Sequence, residues 1–504
     1  MVYIIKKDGT KEEFDANKIK RAVNKSAGRV MYRFTDDEIN FICKYATDRA
    51  EAMSRERKGG KIMIQDMHNI VEGALEQVNP AVAKSYRDYR NYKVDFIHMM
   101  DEVYTKSQSI RYIGDKSNAN TDSALVATKR SLIFNELNKE LYRKFFMNRN
   151  ELQACKDGYI YIHDQSARLD TMNCCLFDVG SVLRGGFEMG NVWYNEPKTL
   201  DTAFDVMGDI ILSTAAQQYG GFTVPEVDKI LSPYAQKSYN KYYEEFLKYS
   251  DPSWEGREER ARIYAWEKVC RDCDQGWQGI EYKLNTVGSS RGDYPFVTVT
   301  LGLGTGRFEK MISKSLLKVH MGGQGKAGHK KPVLFPKIVF LYDEEIHGDG
   351  KECEDVFEAG VACSAKTMYP DWLSMSGQGY ISSMYKKYKK VISPMGCRAF
   401  LSPWYERGGM EPADENDVPV FVGRFNIGAV SLHLPMILAK ARAENTDFYE
   451  VLDFYLEMIR GLHKRTYDYL GEMRASTNPL AYCEGGFYGG HLKPNEKIGK
   501  LLKP

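Results

Sequence analysis

The chain has 504 residues, with 70 basic and 68 acidic side chains and a net charge of +2, so its charge singles out neither nucleic acid nor a membrane as the main partner. Its length exceeds one ordinary core and implies about three domains, or one large barrel with an appendage. No apolar run reaches bilayer length, and MVYIIKKDGTKEEF puts charges where a secretion signal needs its apolar region, which points to the cytoplasm. In that reducing compartment the ten cysteines are thiols available for chemistry or metals rather than a disulfide framework.

Residues 1 to about 95 form a unit of their own. VYIIKKDGTKEEFD alternates like two short strands joined at Asp8-Gly9, a strong hairpin signal. Helical periodicities follow in NKIKRAVNKSA, DDEINFICKYATDRAEAM and IQDMHNIVEGALEQV, and a last helix begins at Pro80. Lysines clustered on a hairpin and the helix after it ordinarily mark a solvated face. Here, however, the succession IKKDG, Phe14, Lys18-Ile19, IQDMH and VAKSYRDYR resembles the ATP-cone, the small regulatory domain at the N-terminus of many ribonucleotide reductases. The resemblance implies that ATP and dATP are allosteric ligands of this segment. Lys6, Lys7 and Asp8 would line the hairpin side of the nucleotide with Glu12 nearby, Lys18 and Arg90 would meet its phosphates, and His68 would sit near the base or sugar. Several cations around a polyphosphate offset its charge.

From 96 to 150 the chain reads as helical and polar, interrupted by the turn-rich GDKSNANTD, where Asn118 and Asn120 with Ser123 make either a substrate-facing loop or a helix cap. A strand is expected at GYIYIHD and another at MNCCLFDV, where Cys174 and Cys175 stand together; because side chains alternate along a strand, only one of them can face a given cavity, and Cys175, just before Leu176, is the candidate. Gly220-Gly221 either lets a backbone approach a ligand closely or ends a helix. Residues 235 to 278 are charged and helical, with aromatics at packing positions. Cys270 and Cys273 form a lone C-x-x-C without the second pair that a four-thiolate zinc site needs. Strands resume at GDYPFVTVTLGLGTGRFEK and PVLFPKIVFLYD; the glycines of LGLGTGR lack the spacing and the acidic residue of a dinucleotide fingerprint.

In SPMGCRAFL, Cys397 stands between Gly396 and Arg398 just after Ser393-Pro394, which places it at the tip of a short loop. Gly396 lets the backbone turn without steric cost, so the neighbouring thiol can be pushed into a cavity. The alternative is a small buried hydrophobe beside a turn.

Taken with NTVGSSRGDYPFVTVTLGLG, SAKTMYPD and GRFNIGAVSLHLP, this loop resembles the catalytic domain of the anaerobic, class III ribonucleotide reductases, glycyl-radical enzymes that act on ribonucleoside triphosphates. The resemblance implies an α/β fold: a ten-stranded barrel of two antiparallel five-stranded halves with helices outside and a finger loop, near 393–401, threading the centre, behind the small helical ATP-cone. It further implies that Cys397 carries a thiyl radical that takes hydrogen from the ribose 3′ carbon, that Cys175 supplies reducing hydrogen from the other side, and that Asn426 hydrogen-bonds the substrate. Asn118, Gly220 and Gly221 are the substrate-binding candidates. Asparagine in GRFNIGAV, where thiol-reduced relatives carry a second strand cysteine, implies formate as reductant. The expected partners are ribonucleoside triphosphates, deoxynucleotide effectors, a radical-SAM activating enzyme and a second copy of the chain, with no nucleic acid and no membrane. The family's glycyl-radical loop and zinc-binding C-x-x-C pairs are absent up to Pro504, so a fragment of a longer protein is expected, with the radical and the zinc in the missing part and no metal site in this one. Two other readings compete: a nucleotide-sensing subunit with vestigial catalytic residues, and a relative of pyruvate formate-lyase. The ATP-cone pattern and Asn426 weigh against the second.

Overall fold

The structure, a computed structural model, describes residues 2–6, 9–30, 32–57, 60–114, 122–286, 292–396 and 399–502. Lys7, Asp8, Asn118, Asn120 and Cys397 lie outside the described residues. The chain divides into two compact units, Met1–Lys106 and Ser107–Pro504.

In the first unit, β1 (Tyr3–Ile5) pairs antiparallel with β2 (Lys11–Glu13), and Gly9, at φ +81°, supplies the left-handed turn that the hairpin needs. Helices α1 (Ala16–Arg29) and α2 (Asp36–Glu56) follow, then β3 (Lys61–Met63), α3 (Ile64–Val78) and α4 (Pro80–Arg111), whose residues from Ser107 on are counted in the second unit. Asp15 caps α1, and α2 opens on a reciprocal Thr35/Glu38 box that satisfies two otherwise orphaned backbone donors. β3 joins β1 in parallel, with Ile5 beside Met63. The hairpin tip and the first turns of α3 therefore lie at the same end of this small sheet. Ile4, Val23, Ile42, Ile62, Val71 and Leu75 fill the core between sheet and helices.

The second unit begins with α5 (Val126–Leu141), α6 (Arg149–Lys156) and β4 (Ile160–Ile162). It continues through β5 (Cys175–Leu176), α7 (Val179–Leu183), the hairpin β6 (Phe187–Met189) and β7 (Val192–Tyr194), α8 (Leu200–Ala215) and β8 (Phe222–Val224). Two long helices, α9 (Val227–Tyr249) and α10 (Arg257–Leu284), lead to β9 (Val297–Leu301), α11 (Arg307–Gly322), β10 (Lys337–Tyr342), α12 (Glu344–His347), α13 (Glu354–Thr367), β11 (Asp371–Ser374) and α14 (Tyr380–Tyr388). The last part holds β12 (Arg424–Phe425), β13 (Val430–Leu432), α15 (Leu434–Glu444), α16 (Phe448–Gly471) and α17 (Pro479–Tyr482). The main sheet runs β11-β10-β9-β8-β5-β12; its first five strands are mutually parallel, and β12 is antiparallel to β5. The five parallel strands correspond to one half of the expected barrel, and β12 runs in the opposite direction; among the described residues the ring is not closed.

The alternation along these strands separates two layers. Val297, Val299 and Leu301 of β9, Phe222 and Val224 of β8, and Ile338 and Phe340 of β10 pack into the main core with α8, α10, α11 and α13. Trp277 of α10 is fully buried there, its indole N–H donating to the Ile312 carbonyl at 3.2 Å. The intervening residues point to the other face, where Val339 and Leu341 meet Met375 and Val391 in a separate cluster. Burial on both faces explains why β9 reads VTVTL and is buried at every position.

Candidate functional site

The inner face of the sheet receives the segment that leads into position 397. Val391, Ile392, Ser393, Met395 and Gly396 run buried across it. Gly396 has φ +65°, a conformation that favours glycine. Its N–H donates to Thr223 Oγ1 at 3.0 Å and its carbonyl accepts from Thr298 Oγ1 at 2.7 Å, both in buried surroundings. Thr223 and Thr298 are register partners on β8 and β9. One residue pair further, Thr300 Oγ1 lies 3.3 Å from Ser393 Oγ and accepts the Glu226 N–H at 2.7 Å.

The Gly220-Gly221 turn between α8 and β8 makes this close passage possible. A Cβ on Gly221 would lie 2.4 Å from Gly396 Cα, and one on Gly220 would lie 2.0 Å from Asn173 Oδ1 and 2.5 Å from Cys174 Sγ. Both glycines serve close backbone approach, since α8 has already ended at Ala215. The Gly221 N–H donates to Cys174 Sγ at 3.0 Å.

Of the adjacent cysteines it is Cys174, not the expected Cys175, that faces the loop. A Cβ placed on Gly396 would sit 3.3 Å from Cys174 Sγ. Cys175 shares the helix-side layer with Phe177 and Phe222; its thiol donates to Gln218 Oε1 at 3.2 Å, and burial pushes its pKa well up. Strand parity separates the two sulfurs, and the direction of the main core decides which of them points inward. Gln218, itself 1% exposed, donates through Nε2 to the carbonyls of Gly220 and Gly221 at 3.2 and 3.0 Å and so braces the glycine turn from behind.

Asn426 follows β12, which pairs with β5 so that Phe425 lies opposite Cys175. Its Oδ1 accepts the Cys174 N–H at 3.3 Å, while backbone bonds tie Asn426 to Asn173 and Cys174 at 2.9 and 3.0 Å. Cys174, Asn426, Gly220, Gly221 and the residue before Cys397 thus converge from four separate stretches of chain. Two cavities flank them. One, of about 690 Å³, borders Gln218 and Tyr219 and carries Asp164, Asp170 and Asp293; the other, of about 580 Å³, borders Asn426 and carries Arg424 and Lys500.

Behind the sheet, the LGLGTGR run serves another buried group. Asp228 Oδ2 accepts the Gly302 and Gly304 N–H groups at 3.1 and 3.3 Å and the Ser313 hydroxyl at 3.3 Å. Burial raises its pKa to about 6 against the lowering effect of the Gly302 bond. Among the described residues no three His, Cys, Asp or Glu side chains gather as a metal site.

In the first unit Lys6 and Lys18 both pair with Glu12, the former at 2.8 Å. Arg90 pairs with Glu72 at 3.0 Å and reaches Asn69 Oδ1 at 3.3 Å. Its neighbour His68 meets the Tyr86 hydroxyl through Nδ1 at 2.8 Å, with burial holding Tyr86 up at about 12. The cations expected on polyphosphate are therefore held by carboxylates that a bound nucleotide would have to displace.

Thr223, Thr298 and Gln218 carry no motif that marks them in the sequence. Threonine at every second position of an otherwise apolar strand was the available signal, since buried hydroxyls need partners.

Residues 117–504 match the family profile of anaerobic ribonucleoside-triphosphate reductase, and residues 2–94 match that of the ATP cone domain. The chain is 32% identical over 511 residues to the anaerobic ribonucleoside-triphosphate reductase of Haemophilus influenzae, covering 99% of this chain and 68% of that protein. It is 34% identical over 394 residues to the enzyme of the same name from Enterobacteria phage T4, covering 77% and 61%. The crystal structure of the anaerobic ribonucleotide reductase from Thermotoga maritima with glycerol in the active site shares the fold, with a TM-score of 0.50 at 12% identity over 79% of this chain and 65% of that one. The chain thus spans about two thirds of the length of these relatives. On the match across residues 117–504 and the likeness over 99% of this chain to the Haemophilus influenzae relative, the chain belongs to the anaerobic ribonucleoside-triphosphate reductase family, with an ATP cone domain at its N-terminus.

Proposed function

We propose that this chain supplies the substrate-binding, reducing and nucleotide-sensing parts of an enzyme that converts ribonucleoside triphosphates to 2′-deoxyribonucleoside triphosphates in the absence of oxygen. The observation that carries the reading is the double engagement of Cys174, whose N–H donates to Asn426 Oδ1 and whose Sγ lies against the Gly396 backbone. A hydrogen atom passes from the ribose 3′ carbon to the sulfur at position 397 and returns at the end of the cycle. Sulfur suits this exchange because its S–H bond is comparable in strength to the ribose C–H bond. Cys174 takes the role expected of Cys175: it supplies a reducing hydrogen atom as the 2′ hydroxyl leaves as water. Asn426 offers donors and an acceptor to the ribose diol.

Formate is the overall reductant in this proposal, so that ribonucleotide, formate and a proton become deoxyribonucleotide, carbon dioxide and water. The radical that oxidises position 397 comes from a glycyl segment outside this chain, installed by a radical-SAM activating enzyme, and any zinc also lies outside it. ATP and dATP bind between the hairpin and α3, with dATP switching the enzyme off; each must prefer a different state of the protein to do so. The working form is a homo-oligomer in the cytoplasm. No described helix is long and apolar enough to cross a membrane.

The test is anaerobic turnover of the full-length, radical-loaded protein with carbon-labelled formate, where one labelled carbon dioxide per deoxynucleotide is expected. Absence of product would overturn the reductase reading. Product sustained by a thioredoxin-type protein in formate-free buffer would overturn the choice of reductant.

A further inference from the structure

Resting on that reading, we propose that Thr298 and Thr223 are positioning residues, whose hydroxyls fix the peptide that leads into Cys397 and so set the approach of the reacting sulfur. A polypeptide segment that crosses the inner face of a sheet cannot use the sheet's backbone groups, because those are already engaged along the strands. Its own N–H and C=O groups need other partners or remain costly orphans. At Gly396 both are met, and both by side chains: the N–H by Thr223 Oγ1 at 3.0 Å and the C=O by Thr298 Oγ1 at 2.7 Å.

The second bond matters most. The Gly396 carbonyl belongs to the planar peptide group that follows Gly396, so holding its oxygen fixes the direction in which the chain leaves this glycine. Gly396 has the conformational freedom of glycine, with φ +65°, and would be the natural hinge if these hydroxyls were lost. The two threonines are themselves well anchored. They are register partners on adjacent parallel strands, 0% and 1% exposed, and the alternate residues Phe222, Val224, Val297 and Val299 hold those strands in the main core. β-branching leaves each hydroxyl few rotamers. The clamp therefore sits on a rigid support, as a site that must place an atom accurately requires.

Other roles fit these hydroxyls less well. Serine or valine would fill the same space for packing alone, and among the described residues neither threonine hydroxyl bonds a charged group. The arrangement fixes one backbone carbonyl and one backbone N–H on a single glycine, and that glycine also lies against Cys174 and Gly221.

The experiment compares Thr298→Val, which keeps shape and removes the donor, with Thr298→Ser, which keeps the donor, in the full-length activated enzyme. Radical content per chain is measured spectroscopically, and turnover is measured with ordinary and 3′-deuterated ribonucleotide. A displacement of about 1 Å at the reacting atom costs about 10²-fold in rate, so Thr298→Val is expected to lose about that factor in kcat with little change in KM. Its deuterium isotope effect should rise, because abstraction becomes the slow step, and Thr298→Ser should recover to within about threefold of the parent. If Thr298→Val does not fold, Thr223→Val is read in the same way. Full activity in the valine variant, or a loss that only follows radical content with an unchanged isotope effect, overturns the proposal. Parent enzyme that makes no deoxynucleotide instead overturns the reductase reading itself, and the two failures cannot be confused.

Discussion

Gly221→Ala places the tightest backbone approach in the site under direct test. The added Cβ would lie 2.4 Å from Gly396 Cα, 3.2 Å from Phe296 Cδ1 and 3.4 Å from Gly396 N. The nearest obstacle is backbone, so the strain cannot be relieved by a side-chain rotation. Reaching ordinary contact distance requires the loop and the sheet to separate by about 1 Å, and overpacking of this kind costs about 1–3 kcal/mol. The same movement stretches the 2.7 and 3.0 Å bonds that hold Gly396, and buried groups left without partners cost about 1–3 kcal/mol each. Destabilisation of about 3 kcal/mol is expected in denaturant titrations, together with a loss of about 10²-fold in turnover of the activated enzyme from the displaced loop. Gly279→Ala is the control. It lies in α10 with nothing within 4 Å of the added Cβ, and should stabilise by about 0.5–1 kcal/mol. A Gly221→Ala protein as stable and as active as the parent would refute the packing of the loop on the glycine turn.

The folded pKa of Asp228, about 6, lies above its ordinary value of 3.8, so the native state holds the proton more tightly and stability falls as pH rises from about 4 through about 6. Asp228→Asn lacks this titration. Its stability relative to the parent should therefore improve by about 2 kcal/mol between pH 4.5 and pH 7 in denaturant titrations, and an unchanged or opposite difference would show that Asp228 is not a buried charge. Lys18→Ala should weaken ATP binding to the full chain by about tenfold or more in calorimetry, the scale of one charge-assisted hydrogen bond, despite the present pairing of Lys18 with Glu12. Unchanged affinity would remove Lys18 from the nucleotide site. Asn426→Ala should lower turnover while sparing ATP binding, because Asn426 meets Cys174 and lies in the other compact unit; loss of ATP binding instead would contradict the separation of the two roles.

Local chemistry was legible where neighbours in sequence decide the outcome. The Asp8-Gly9 signal gave the β1–β2 hairpin, and the periodicity of IQDMHNIVEGALEQV gave α3. Alternation in MNCCLFDV showed that its two cysteines face opposite ways. It could not show which faced inward, because that depends on Phe222 and Val297, strands contributed by distant parts of the chain that place the main core beneath Cys175. The roles of Thr298 and Asp228 were hidden for the same reason. Thr298 meets Gly396 across 98 positions and Asp228 meets Gly302 across 74, so neither pairing leaves a local pattern. The glycines of LGLGTGR do have a function, but it is to present N–H groups to a buried carboxylate rather than to a dinucleotide.

The central claim is that the thiol opposite the finger loop is Cys174, and the most direct measurement is anaerobic deoxynucleotide formation by full-length, radical-loaded Cys174→Ser and Cys175→Ser enzymes. Cys174 lies beside Gly396 and Asn426, whereas Cys175 lies in the core against Gln218. Serine at 174 should abolish product formation while leaving radical loading intact, because its O–H bond is too strong to give up hydrogen at this step. Serine at 175 should retain turnover to within about tenfold, with a stability cost of about 1 kcal/mol for the altered buried hydrogen bond. The reverse pattern, with Cys174→Ser active and Cys175→Ser dead but folded, would contradict the account.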